Sequence, residues 1–114
     1  MNEIVTRVRE RMIARGFPGS LLPDNMQSES FDAASGDFSV TLTNKVDVEV
    51  DGIPVHFATT ISGNIVEGKI TNLKGVKAKQ TFWVSIGSIL IDGTDLVFKV
   101  GPIKKAVPRS AWPD

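Results

Sequence analysis

The sequence predicts a mainly β protein in which an antiparallel sheet rolls into a partly closed barrel, with one N-terminal α-helix packed on it. Two changes of pattern lead there. Apolar residues recur at three- and four-residue spacing only at the start of the chain, and from Ser28 onward they alternate with polar residues at a period of two. A third observation is the set of turn dipeptides, Ser35-Gly36, Asp51-Gly52 and Asp92-Gly93, which separate the alternating runs at short spacings and so favour antiparallel neighbours.

The helix is expected over residues 2–15, where Ile4, Val5, Val8, Met12 and Ile13 form one apolar stripe. Asn2 is suited to cap its first free amides and Glu3 to sit at the positive end of its dipole, while Gly16 can take the left-handed conformation that closes the other end. Arg7, Arg11 and Arg15, four apart, form a basic row that reads as a solvated outer face rather than an anion site. The following loop, Phe17 to Asp24, is bounded by Pro18 and Pro23 and rich in large apolar residues. It is suited either to plug an open end of the roll or to gate a pocket there, and plugging is the commoner use.

The β-rich roll is expected over 28–107. Phe38, Val40 and Leu42 form one alternating run, and Val46, Val48 and Val50 a second. Further strands are expected at 53–57, 60–66, 76–91, 96–100 and 103–107. In Phe82 to Ile91 both parities are apolar, which predicts cover on both faces, one from the roll and one from the helix docked near Trp83. The small residues Ser85, Gly87 and Ser88 would permit that approach or a bulge, and a parity slip after Ile65 predicts another bulge near Gly63 or Gly68.

Composition excludes several functions. The 114 residues contain no cysteine and one histidine, which removes disulfides, thiolate metal sites, cysteine nucleophiles and the paired imidazoles of a catalytic zinc. Thirteen basic residues balance thirteen acidic ones, distributed as +2 over residues 1–20, −6 over 21–51 and +4 over 52–114. A polyanion-binding domain would carry a basic excess, so no nucleic-acid partner is expected. No apolar run exceeds three residues, so no segment is expected to span a bilayer, and the charged start is not a secretory signal. The expectation is one soluble domain over 1–114, acting as a monomer, with no metal and no cofactor.

Few motifs suggest chemistry. Asp47-Val48-Glu49-Val50-Asp51-Gly52 spells the opening of an EF-hand loop, but Ala58 stands where the bidentate Glu belongs and the valines demand a strand face, so it reads as a strand ending in a turn. His56 lies on the parity opposite Phe57 and reads as a surface or hairpin-edge residue; no nucleophile elbow, dinucleotide fingerprint or phosphate loop accompanies it. Lys69, Lys74, Lys77 and Lys79 are the densest basic stretch, explained by a solvated face.

The order of Gly-Phe-Pro-Gly-Ser-Leu-Leu-Pro (16–23), Ser-Gly-Asp-Phe-Ser-Val (35–40), Ile-Ser-Gly-Asn-Ile-Val-Glu-Gly-Lys-Ile (61–70), Leu-Lys-Gly-Val-Lys-Ala-Lys (73–79), Trp-Val-Ser-Ile (83–86) and Leu-Val-Phe-Lys-Val-Gly (96–101) resembles the plant domain-of-unknown-function family 538. The resemblance implies a small β-rich roll with an N-terminal helix, similar in shape to bactericidal permeability-increasing and related lipid-binding domains. Members have been proposed to bind lipids or chlorophyll, or to act as weak esterases, and many are secreted. This chain departs from common members in lacking a cysteine near Val46 and a leader, and in placing Trp112 where Phe is usual.

The resemblance, more than the residues, points to noncatalytic binding of an apolar or amphipathic small molecule, lipid-like or pigment-like. The pocket would be walled by Phe38, Phe57, Phe82 and Phe98 with Leu22 from the loop, because a rolled sheet of this strand number either fills its interior or leaves room for one ligand. A weak ester hydrolase using His56 and a nearby serine, and a packed structural or protein-interaction domain, are the alternatives.

Overall fold

The computed structural model describes residues 3–79 and 82–112 and contains one helix and one antiparallel sheet. Helix α1 (Glu3–Ala14) ends in a Schellman motif: Gly16 adopts φ +90°, its amide donates to the Ile13 carbonyl, and the Phe17 amide donates to Met12. Gly16 is therefore the left-handed cap its sequence position predicts, whereas Asn2 lies outside the described residues.

Eight strands follow: β1 (Met26–Phe31), β2 (Asp37–Leu42), β3 (Val46–Val50), β4 (Ile53–Val66), β5 (Lys69–Lys79), β6 (Trp83–Asp92), β7 (Asp95–Val100) and β8 (Ile103–Pro108), then a 3-10 turn at Arg109–Ala111. The ladder runs β1-β2-β4-β5-β6-β7-β8. The long β4 pairs with β3 through its first half, Ile53 to Phe57, and with β2 through its second, Thr60 to Asn64. The two runs expected at 53–57 and 60–66 are therefore one strand, and the run expected at 76–91 is two. Among the described residues β1 and β8 do not pair, so the sheet is a curled, open roll.

Irregularities in the ladder produce the curl. Between the pairs Phe57–Val76 and Ser62–Lys74, four residues of β4 oppose one residue of β5, Gly75. Gly75 sits at φ +91°, and a Cβ there would run into the Thr60 carbonyl, so only glycine lets the strands approach at this corner. A second register shift lies at Gly87 in β6. It explains the doubly apolar stretch in a way different from expectation: the extra residue switches parity, so Ile86 and Ile89 both enter the core although three apart. Cover on both faces is not required, and Trp83 is exposed on the outer side.

The helix docks elsewhere than expected. It lies against β1, with Val8 and Met12 buried and Ile4 and Val5 packed on the core, while Ile13 at the end of its stripe is exposed. Burying Val8 and Met12 contributes about 1.5–3 kcal/mol each. Arg11 and Arg15 of the arginine row help fix this position, while Arg7 stays largely exposed. Arg11 Nη1 donates to Glu29 Oε1 at 2.7 Å, Arg7 lies 3.6 Å from the same carboxylate, and the Arg11 and Arg15 guanidinia cover the Phe31 ring at 4.2 and 4.8 Å. Beyond the helix, the Arg15 carbonyl accepts from Gly68 at 2.8 Å and the Gly16 carbonyl from Arg109 at 2.5 Å, tying the cap to the β4–β5 turn and to the end of the chain.

Candidate functional site

Antiparallel partners share a face, so the registers sort the whole sheet into two sides. The concave side carries Phe38, Val40 and Leu42 of β2, Val55, Phe57, Ile61 and Ile65 of β4, and Leu96, Phe98 and Val100 of β7, all buried. Helix α1 covers the β1–β2 side of this surface, and the loop after it brings Phe17, Leu21 and Leu22 down as further buried side chains. The remaining concavity is not filled.

A cavity of about 270 Å³ is left there. It is lined by Val55, Phe57, Val76, Ala78, Ile86 and Ile89 of the central strands together with Phe38, Ile70, Leu73, Phe98 and Val100. Met12, Leu21, Leu22 and Pro23 close one end. Residues from opposite margins of the roll border it together, Val48 to Val50 of β3 on one side and Lys105 and Val107 of β8 on the other, with Trp112 beyond. Trp112 stacks on Phe98 with ring centroids 5.4 Å apart and planes at 18°. The loop residues thus complete the core, as plugging the roll requires, and Leu21, Leu22 and Pro23 also line the cavity.

Of the five side chains expected in a pocket, Leu22, Phe38, Phe57 and Phe98 come together around this cavity. Phe82 does not. It stands in the turn before β6 with 75% of its surface exposed, because the strand alternation that would have turned it inward begins only at Trp83. Sequence reasoning did not place Met12, Trp112 and Lys105 at the site. For Lys105 a signal existed, since it shares a parity with Ile103 and Val107.

The convex side carries the polar candidates. His56 Nδ1 lies 2.8 Å from Asp47 Oδ1 on the neighbouring strand, and its ring meets Trp83 edge-on at 6.0 Å. The same ladder row continues through Lys77 to Ser85, whose backbone lies two strand spacings, about 9.6 Å, from that of His56. Lys77 and Lys79 are exposed on this face, and Lys79 lies over Trp83 at 5.9 Å. Asp47 to Gly52 is β3 and its two-residue turn, with positive φ at both Asp51 and Gly52. Among the described residues no cluster of three His, Asp or Glu side chains is placed to hold a metal ion, and no helix is long and apolar enough to cross a membrane.

Comparison with known proteins agrees with this architecture in extent. An uncharacterised protein of Arabidopsis thaliana is 29% identical over 97 residues, an alignment that covers 84% of this chain and 56% of that protein. The chain thus spans about half the length of the curated relative it matches. The family described as "Protein of unknown function, DUF538" matches residues 8–113, from the buried turn of the helix to the tryptophan that stacks on Phe98. The chain therefore belongs to the DUF538 family.

Proposed function

We propose that this chain binds one apolar or amphipathic small molecule, without catalysing a reaction on it, in the cavity enclosed by the curled sheet and the Leu22 loop. The observation that carries this reading is a mostly apolar volume of about 270 Å³ left unfilled in the concave face, lined chiefly by buried side chains. Protein interiors are normally packed to the density of organic crystals, and a mostly apolar concavity left open to solvent at its rim is the usual form of a small-molecule site. The volume sits at the lower edge of small-molecule sites, which run from about 300 Å³ upward. A single acyl chain or one small ring system suits it better than a tetrapyrrole. Leu22, Phe38, Phe57 and Phe98 are the wall in this reading, Phe82 has no part in it, and the chain acts as one monomeric domain.

Binding of this kind draws on apolar burial, about 25 cal/mol per Å², and so changes little with salt. Native mass spectrometry of the freshly purified protein, followed by titration with dodecanol, tests it. One saturable equivalent is expected. Ala78→Phe, which projects a ring into the cavity, should abolish that equivalent while costing about 1–3 kcal/mol of stability. A bare mass with no saturable binding would leave a packed structural or interaction domain as the better account, and binding untouched by Ala78→Phe in a folded variant would place the ligand outside this cavity.

A further inference from the structure

Of the ladder positions on the concave face, only two carry charged side chains among the described residues: Glu29 opposite Val40, and Lys105 opposite Phe98. The two are treated very differently. Glu29 is 11% exposed and is held by Arg11 at 2.7 Å and Arg7 at 3.6 Å, as a charge facing an apolar interior requires. Lys105 is exposed at the margin of the same cavity as Phe98 and Trp112, and has no acidic side chain within ion-pair distance among the described residues. Glu49 also borders the mouth, but from the outward parity of β3, where it pairs in register with Pro54, and it does not reach Lys105. The cavity thus has an apolar body and, on the concave side of its rim, one cation without a counter-ion.

We infer that the molecule bound here is a single-chain amphiphile with an anionic head, a carboxylate or a phosphate, whose tail fills the cavity and whose head is met by the Lys105 ammonium at the rim. This rests on the binding function proposed above and specifies its ligand class. The geometry fits the behaviour of lysine, whose aliphatic stem lies along apolar surface while its ammonium stays in water, where a head group of an otherwise buried chain must also lie. An inward charge on an edge strand also discourages edge-to-edge pairing. That role predicts no selectivity among ligand heads, so the two are separable by experiment.

The full chain is titrated calorimetrically with dodecanoate, dodecyl phosphate and dodecanol, each as monomer, alongside Lys105→Gln checked for an unchanged melting temperature. The two anionic probes are expected to bind about tenfold more tightly than the alcohol, in keeping with one charge-assisted contact at a solvated rim. The better of the two identifies the head chemistry. In Lys105→Gln the anionic probes should fall to the alcohol's affinity while dodecanol is unaffected. Equal affinity for acid and alcohol, or a preference that survives Lys105→Gln, overturns this inference and leaves apolar binding standing. Failure of all three probes to bind overturns both.

Discussion

Phe98 connects the core to the site. It is buried on β7, stacks on Trp112 on one side and faces the cavity on the other. Replacing it by alanine removes a ring already bordered by empty space, so the loss should fall at or below the low end of the usual range for buried aromatics, about 2–3 kcal/mol in urea unfolding, and Trp112 fluorescence should shift to the red. Glu29 is the residue whose loss acts through its partners. Glu29→Ala leaves the Arg11 guanidinium, 16% exposed, without its carboxylate, and should cost about 2 kcal/mol. Arg7, 53% exposed, should contribute little to that figure when removed alone. Which phenylalanines face inward was legible at this scale, because strict alternation fixes Phe38, Phe57 and Phe98 on one parity each. Phe82 was not, since parity has meaning only inside a strand and its strand starts one residue later.

At the scale of elements, the bulges decide what the alternation can do. Gly75 sets the corner at which β4 and β5 turn the sheet, so Gly75→Ala meets both a positive φ and the Thr60 carbonyl; it should destabilise by at least about 2 kcal/mol, read from the urea midpoint. Serine at Gly87, where a Cβ meets nothing within 4 Å and φ is not positive, should change stability by less than about 0.5 kcal/mol. The β6 sequence looked two-sided because the register shift at Gly87 is invisible in a hydrophobicity pattern: an inserted residue and a buried second face produce the same letters. The helix itself was legible from its period and its glycine cap. Its seat was not, because the Arg11–Glu29 pair and the stacking of Arg11 and Arg15 on Phe31 join segments about eighteen residues apart. A basic row at four-residue spacing reads as solvated until an acidic partner on another element is brought to it.

The roll as a whole encloses space because it curls without closing. Residues of β3 and β8, at opposite margins of the sheet, border one cavity, while the loop bearing Leu21 and Leu22 seals the far end. Whether an eight-stranded curl fills its interior depends on side-chain volumes summed across strands distant in sequence, so the walls could be named from the sequence but the void between them could not. The measurement that bears most directly on apolar binding in this void is methyl-resolved NMR of the intact protein titrated with dodecanol. Saturable shifts confined to Val55, Val76, Ala78, Ile86, Ile89 and Val100, with contacts from the dodecanol chain to the Phe57 and Phe98 rings, are the predicted result. Shifts that fail to saturate, or that fall instead on convex and exposed methyls such as those of Val66 and Ile13, would contradict it.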